Sequence, residues 1–188
     1  MKKKIVITGG LGYIGTELCK LYSGVSWHHE ITVIDSRFIS ERVNQLRNWN
    51  MEFIQADILD KKLISPYLKN ADIVHHLAGI TKVPRTKSES SEAHDKKIKE
   101  VGEKGTQNIL DIVSDKCKII FPSTHVVYEG INEVKKDIRE DEDTKPILSY
   151  SSSKAVNEKQ LKDSGKNYII LRLGSVYGYS TDSMRIDI

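Results

Sequence analysis

The stretch Lys4–Gly15, KIVITGGLGYIG, decides the fold of this chain. It begins with a short apolar run, typical of a buried β-strand, which stops where a helical pattern starts. Between the two lie closely spaced glycines, namely Gly9, Gly10, Gly12 and Gly15, which include the spacing G-x-G-x-x-G. Such glycines permit a tight bend, let backbone approach a pyrophosphate, and let the helix pack close on the strand. The helix N-terminus then presents N–H groups to phosphate, so the stretch predicts a dinucleotide-binding turn.

An acid further along the chain supports this interpretation. The apolar run Ile31–Ile34 ends in Asp35, at about the 20-residue distance expected for a carboxylate that holds a ribose. The glycine pattern alone is weak, because glycine-rich turns without a ligand also occur. The turn also lies near the N-terminus, where a dinucleotide-binding fold begins, and the two observations together favour the ligand-binding interpretation.

Composition limits the alternatives. A chain of 188 residues fits one domain, and we expect that domain to span residues 1–188. The net charge of +3 gives no reason to expect a nucleic acid or an anionic membrane as partner. No stretch approaches the roughly 20 apolar residues of a membrane span. Cys19 and Cys117 form neither a disulfide framework nor a metal-ligand spacing, and both are expected to be buried. We therefore expect a cytoplasmic protein.

Apolar runs alternate with helical patterns along the chain. The predicted strands are Lys4–Thr8, Ile31–Asp35, Met51–Ala56, Asp72–Leu77, Lys118–Ser123 and Tyr168–Leu173. The predicted helices are Tyr13–Tyr22, Ser40–Asn48, Lys61–Leu68, Glu92–Val113 and Tyr150–Asp163. This alternation predicts an α/β fold with a doubly wound parallel sheet covered on both faces. The glycine turn favours the Rossmann strand order 3-2-1-4-5-6.

Two polar stretches follow predicted strands. Lys82–Lys99 comes after the fourth strand and Glu129–Lys145 after the fifth. Both are interpreted as solvated loops, although each leaves the strand end at which open α/β sheets bind ligands. The histidines at His28, His29, His75 and His94 show no ligand spacing, so no metal site is predicted.

A tyrosine and a lysine are spaced for acid–base chemistry. Tyr150 and Lys154 lie four apart on a predicted helix, so the phenol and the ammonium share one face. A nearby cation lowers the pKa of a tyrosine from its usual value of about 10, which makes a general base usable near neutral pH. The Y-x-x-x-K pattern is weak alone, and a surface helix turn is the alternative. Ser123 and Thr124 at the end of the fifth strand are placed to bind a substrate hydroxyl, which strengthens the joint interpretation.

The chain resembles the extended short-chain dehydrogenase/reductases of the NAD-dependent epimerase/dehydratase family, the group that contains UDP-glucose 4-epimerase. The motifs that carry the resemblance are TGGLGYIG at 8–15, VID at 33–35, ADILD at 56–60, HLAG at 76–79, PST at 122–124 with VY at 127–128, YSSSK at 150–154, and LR at 171–172 with VYG at 176–178. They span nearly the whole chain in the family's order.

The resemblance implies an NAD site. It places Tyr13 and Ile14 of the glycine turn on the pyrophosphate, with the glycines Gly9, Gly12 and Gly15. It implies that Asp35 holds the adenosine ribose, that Asp57 and Ile58 flank the adenine, and that Leu77, Ala78 and Gly79 line the cofactor. Since Asp35 would repel a 2′-phosphate, NAD is expected over NADP, although Arg37, two residues on, is able to soften that preference.

The resemblance also implies a reaction. Thr124 and Tyr150 would bracket the reacting carbinol of a nucleotide sugar, and Lys154 would hold the nicotinamide ribose and tune the phenol. Tyr150 would remove a proton from a sugar hydroxyl while a hydride passes to NAD, which gives a transient keto sugar.

Some positions depart from the family pattern. The acidic pair that dehydratases carry after the threonine is replaced by His125 and Val126, which argues against 4,6-dehydration. The usual asparagines are replaced by Gly102 and Ser175, and Glu129 stands where a glycine is usual. The identity of the sugar therefore stays open.

The expected function is that of an NAD-dependent sugar-nucleotide epimerase or oxidoreductase, with a nucleotide sugar as substrate and a homodimer as an open alternative for assembly. Family members continue into a smaller C-terminal substrate region, whereas this chain ends at Ile188. We therefore expect the cofactor half, which binds NAD but shows little turnover of nucleotide sugars. A non-catalytic NAD-binding module and a reductase of a small carbonyl compound are the alternatives.

Overall fold

The computed structural model describes residues 2–80, 86, 89–133 and 135–178. Within them, six parallel strands form one sheet in the order β3-β2-β1-β4-β5-β6. The strands are β1 (Lys4–Thr8), β2 (Glu30–Asp35), β3 (Glu52–Gln55), β4 (Ile73–His76), β5 (Lys118–Thr124) and β6 (Asn167–Leu173). The helices are α1 (Tyr13–Ser23), α2 (Ser40–Asn48), α3 (Lys61–Leu68), α4 (Glu92–Lys99), α5 (Gly105–Ile112) and α6 (Ser149–Asp163). The predicted fold class and strand order are confirmed.

The sheet is covered on both faces because its strands carry apolar residues on both. One core cluster joins Ile7 of β1 and Val33 of β2 to Cys19 of α1. The other joins Val6, on the opposite face of β1, to buried residues of α3, α5 and α6. Cys19 and Cys117 are both buried and free, as expected.

The predicted strands and most predicted helices match the observed ones to within a single residue at each end. The long helix predicted over Glu92–Val113 is wrong in one respect, since a π-helical turn at Glu100–Lys104 separates α4 from α5. At that turn the Gly102 carbonyl accepts a hydrogen bond from Asn157 Nδ2 of α6 at 3.0 Å. Short 3₁₀ turns at Ser26–His28 and His125–Tyr128 were not predicted.

The polar stretches lie at the sheet edge where β4 and β5 end. The described part of Glu129–Lys145 contains no helix or strand, in agreement with the prediction of a loop. In Lys82–Lys99, residues 82–85, 87 and 88 lie outside the described residues. The remainder includes all of α4 (Glu92–Lys99), so the loop interpretation is wrong for that part. In the part of the chain that is described, no helix has the length and apolar character needed to cross a bilayer.

Candidate functional site

The glycine turn between β1 and α1 is built from close backbone contacts. Gly9 has a φ of +69°, and a Cβ at this position would lie 2.7 Å from the backbone of Ala78. A Cβ on Gly15 would lie 2.5 Å from the Gly9 carbonyl oxygen. The Gly9 N–H donates to the Ile34 carbonyl at 2.7 Å. These contacts bring the predicted Gly9, Gly15 and Ala78 together at the carboxyl ends of β1, β2 and β4.

The first turn of α1 is open to an anion. Gly12 is the N-cap residue, and no side chain caps the helix there. Tyr13 is partly exposed and Ile14 is exposed, so both predicted residues lie at the surface of the turn. The N–H groups of an uncapped first turn, together with the helix dipole, suit a pyrophosphate.

Asp35 ends β2 and faces this turn. Its carboxylate is 5% exposed, and Oδ2 accepts a hydrogen bond from the Leu11 N–H at 3.0 Å. Arg37 forms an ion pair with the same carboxylate, with Nε 3.1 Å from Oδ1. The structure therefore places Asp35, the residue predicted to bind the ribose, at the glycine turn. Its carboxylate is already paired with the guanidinium of Arg37.

Asp57 and Ile58 follow β3 and have different environments. Asp57 is exposed, and its Oδ1 accepts a hydrogen bond from the Leu59 N–H at 2.9 Å. Ile58 is 4% exposed and its side chain packs in the core against Gly105. The Ile58 carbonyl is held by Asn108 Nδ2 of α5 at 2.9 Å. Asp57 is thus the member of the pair whose side chain is accessible to an adenine, and the adenine contact stays a prediction.

The segment after β4 is fixed by a buried histidine. His76 Nδ1 lies 2.9 Å from Thr8 Oγ1, and His76 Nε2 lies 3.0 Å from Thr106 Oγ1. Burial lowers the pKa of His76 to about 3, with a further contribution from the positive charge of Lys154, so the ring is neutral at physiological pH. The Ala78 N–H bonds Thr8 Oγ1 at 3.3 Å. Leu77 and Ala78 are partly exposed and Gly79 is exposed, at the strand ends where the cofactor is predicted.

Lys154 is placed against β5 with Tyr150 one helical turn earlier on α6. Lys154 Nζ donates to the Pro122 carbonyl at 2.8 Å and lies 4.3 Å from the centre of the Phe121 ring. The same atom lies 6.0 Å from the centre of the Tyr150 ring. Burial lowers the pKa of Lys154 to about 8, while Glu158 acts to raise it. Thr124, two residues beyond Pro122, is buried and accepts a hydrogen bond from the Val126 N–H.

A buried ion pair anchors α6 to the sheet. Glu158 is nearly fully buried and accepts hydrogen bonds from Arg172 Nη2 at 2.6 Å and Ser123 Oγ at 2.6 Å. Burial acts to raise the pKa of Glu158, but the bonds from Arg172 and Ser123 hold it below its usual value. Ser123 lies on β5 and Arg172 on β6, so this network fixes the rotation of α6 and, with it, the faces that carry Tyr150 and Lys154.

Glu129 holds the beginning of α6. Its Oε1 accepts hydrogen bonds from the N–H groups of Ile147 and Leu148, at 2.6 and 2.7 Å, and from the Ser151 hydroxyl. A carboxylate at a helix N-terminus also interacts favourably with the helix dipole. Burial acts to raise the pKa of Glu129, but these hydrogen bonds keep it below the ordinary value. The residue that departs from the family pattern therefore ties the segment after Thr124 to the helix that carries Tyr150.

Glu129→Ala should lower the free energy of unfolding by about 1–2 kcal/mol, since three donors lose a shared acceptor. Because the folded-state pKa lies below the ordinary value of 4.5, this stabilisation is present at neutral pH and fades as the pH falls below about 4.5. Urea denaturation of both proteins at neutral and acidic pH measures the difference. Glu133→Gln, at an exposed glutamate of the same loop, is the control and should change little. A pH-independent difference would contradict the capping role.

An open groove of about 530 Å³ lies beyond the ends of β5 and β6. Its lining includes His125, Tyr128, Arg139 and Arg172. His125 is exposed at this groove, and its Nδ1 lies 3.2 Å from the Leu173 carbonyl. Among the described residues, no group of three or more His, Cys, Asp or Glu side chains is arranged to hold a metal ion.

Several residues of the site were missed by sequence reasoning. Thr8, Thr106 and Glu158 sit in ordinary strand and helix patterns, and only their tertiary partners give them a role. Glu129 was noted as a departure from a pattern, but its partners lie 18 to 22 residues away, so no local signal indicated a helix cap.

A glycine turn at the head of a doubly wound sheet, with an acid ending β2 and a Tyr/Lys pair beside the end of β5, defines a dinucleotide-binding protein of the short-chain dehydrogenase/reductase type. A family model described as "NAD dependent epimerase/dehydratase family" matches residues 5–187. The chain belongs to this family.

Individual relatives agree with the family. The chain is 35% identical over 130 residues to a UDP-N-acetyl-alpha-D-glucosaminuronate decarboxylase from Bacillus cytotoxicus, covering 68% of this chain and 38% of the relative. It is 30% identical over 197 residues to a dTDP-D-glucose 4,6-dehydratase from Dictyostelium discoideum, covering 94% and 44%. The chain thus spans less than half the length of these two relatives.

Solved structures show the same fold. A mutant UDP-glucuronic acid 4-epimerase from Bacillus cereus, in complex with UDP-4-deoxy-4-fluoro-glucuronic acid and NAD, superposes with a TM-score of 0.78 at 28% identity. The match covers 95% of this chain and 58% of that one. The family is thus described as NAD-dependent, and this neighbour was solved with NAD bound.

Proposed function

We propose that this chain is the cofactor half, residues 1–188, of an NAD-dependent enzyme that oxidises a sugar hydroxyl of a nucleotide sugar to a transient keto sugar. The proposed outcome is epimerisation or a closely related oxidoreduction. The observation that carries the proposal is the position of Lys154, whose ammonium binds the β5 backbone at Pro122 and lies close to the Tyr150 ring.

The residues fit the cofactor. Close backbone packing at Gly9 and the uncapped N-terminus of α1 make a surface that is suited to bind a pyrophosphate. Bound NAD would supply a hydride acceptor beside the reacting carbon. In this proposal Asp35 holds the adenosine ribose and Lys154 holds the nicotinamide ribose.

Side chains of this chain would carry out the proton transfer. A cation beside a phenol stabilises the phenolate, and Lys154 is the cation proposed to do this for Tyr150. Tyr150 then accepts the proton of the sugar hydroxyl, and Thr124 orients that hydroxyl by a hydrogen bond. The depressed pKa of Lys154 itself also lets its charge respond to pH near 8.

The groove beyond β5 and β6 is the proposed place of the sugar. One of its lining residues, His125, directly follows Thr124 in the chain, and the groove's volume of about 530 Å³ leaves room for a sugar ring. His125 and Val126 stand where dehydratases carry an acidic pair, which argues against the elimination step of a 4,6-dehydratase. A second copy of the chain is the protein partner considered in this proposal, and Val156 on α6 is an exposed apolar side chain available to it. No nucleic acid or membrane takes part, and the proposed location is the cytoplasm, which the free buried cysteines suit.

The test is a product assay. The protein is incubated with NAD and a panel of UDP-, dTDP- and CDP-sugars, including uronic acids, and products are separated by chromatography. An epimerised or decarboxylated product without net consumption of NAD supports the proposal. Net reduction of NAD with a small alcohol would instead indicate a simple dehydrogenase. NAD binding with little or no reaction is the result expected of the cofactor half alone. The same result from a form of the protein that also contains the substrate region would indicate a non-catalytic module.

A further inference from the structure

We infer that Arg37 makes the adenosine-ribose pocket accept a 2′-phosphate, so that the chain binds NADP(H) as well as NAD(H). The inference rests on the proposed dinucleotide site and concerns the ligand that this site takes. It starts from the carboxylate of Asp35, which by itself would exclude a 2′-phosphate through like-charge repulsion.

That carboxylate is fully engaged before any ligand arrives. Oδ1 accepts hydrogen bonds from Arg37 N at 3.0 Å and Arg37 Nε at 3.1 Å. Oδ2 accepts hydrogen bonds from Leu11 N at 3.0 Å and Arg37 Nη2 at 3.3 Å. Each oxygen therefore has two donors, and the guanidinium binds both oxygens in the two-pronged geometry typical of arginine. The negative charge that would repel a phosphate is neutralised within the pocket.

The burial of the two partners is unequal. The Asp35 side chain is 5% exposed, whereas the Arg37 side chain is 52% exposed. The more accessible of the two charged groups is thus the guanidinium. Arginine binds phosphate oxygens through paired N–H donors and keeps its charge at every physiological pH.

Arg37 also lies at the correct edge of the pocket. Its Nη2 is 3.9 Å from the position that a Cβ on Gly12 would occupy. The guanidinium therefore reaches from the end of β2 to the glycine turn, between the groups assigned to the ribose and to the pyrophosphate. If Asp35 binds the ribose hydroxyls as proposed, a 2′-phosphate on that ribose would come close to the guanidinium that Asp35 already holds.

The alternative role for Arg37 is a surface ion pair that only stabilises the fold. Such pairs contribute about 0–1 kcal/mol when exposed, and removing one would affect both dinucleotides equally through the fold. A specificity role predicts unequal effects. The ratio of the two dissociation constants therefore separates the two roles.

The experiment is a calorimetric titration of the chain with NAD and with NADP. For the unmodified chain we expect the two dissociation constants to agree within about tenfold, a difference of 1.4 kcal/mol. Arg37→Ala should weaken NADP binding by about 10-fold or more, as expected for loss of a charge-assisted bond. The same change should leave NAD binding within about threefold, or tighten it by freeing Asp35. Arg47→Ala, an exposed arginine of α2, is the matched control and should leave both constants unchanged.

Asp35→Asn supplies the opposite change. It should weaken NAD binding and leave NADP binding equal or tighter, because Arg37 remains while the carboxylate charge is lost. Undetectable NADP binding by a chain that binds NAD would overturn the inference, as would an Arg37→Ala variant that weakens both ligands by the same factor. If the folded chain binds neither dinucleotide, this inference and the proposed function both fail. Binding of both ligands without any catalysis, in a form of the protein that also contains the substrate region, would contradict the proposed function alone.

Discussion

In whichever form of the protein turns over a nucleotide sugar, Tyr150→Phe should slow the reduction of bound NAD by about 10²–10⁴-fold, the usual contribution of a positioned general base. The change removes only the phenolic oxygen, so NAD binding should stay nearly unchanged. The measurement is a single-turnover reaction with the nucleotide sugar that the product assay identifies, followed by the absorbance of the reduced nicotinamide. A fall in rate without a change in cofactor affinity assigns the loss to the chemical step.

Two further variants test the roles assigned to Tyr150 and Lys154. Lys154→Ala should weaken NAD binding and slow the reaction together, because one ammonium is assigned to both the ribose and the phenol. Tyr67→Phe, at a partly buried tyrosine of α3, is the matched control and should keep the parental rate. If Tyr150→Phe retains most of the activity, the Tyr/Lys pair is a surface feature of α6 and the proposed mechanism is wrong.

Gly9→Val should abolish NAD binding and destabilise the fold by several kcal/mol. The φ of +69° is strained for any residue with a Cβ, at about 1–3 kcal/mol, and a β-branched side chain is worse. The new Cβ would also lie 2.7 Å from backbone atoms of Ala78, which cannot rotate away as a flexible side chain can. Thermal unfolding and NAD titration measure the two effects.

The smaller change Gly9→Ala keeps this test informative if the valine variant does not fold. It should fold with reduced stability and bind NAD more weakly. Gly24→Ala is the matched control, since Gly24 has an ordinary helical φ of −66° and the nearest atom to its added Cβ is 4.0 Å away. Equal effects at Gly9 and Gly24 would show that the strain and close contacts at the glycine turn are unimportant.

Local patterns predicted most of this fold because they act over short distances. Continuous β-branched runs such as Ile5–Ile7 indicate strands buried on both faces, and the glycines that follow indicate the turn. The same logic located Asp35 at the end of β2 and Thr124 at the end of β5. Both lie where predicted, at the carboxyl edge of the sheet.

The features that were not predicted depend on partners far away in sequence. The π turn at Glu100–Lys104 is fastened by Asn157, and no helical periodicity reveals that contact. The residues just before α6 are held by Glu129, on the far side of a long loop. Arg37 was visible as a neighbour of Asp35, but the two-pronged pairing that neutralises the carboxylate required side-chain geometry.

The most direct test of the account is a map of the NAD site by heteronuclear NMR of the chain titrated with NAD. The account predicts saturable shifts of backbone signals at the glycine turn, at Asp35, at Ala78 and on the first turns of α6 around Tyr150. Residues of α2 that face away from this edge, such as Arg47, should stay unchanged. Shifts confined to another surface, or none at all in the folded chain, would contradict the assignment of the dinucleotide site on which every proposal here depends.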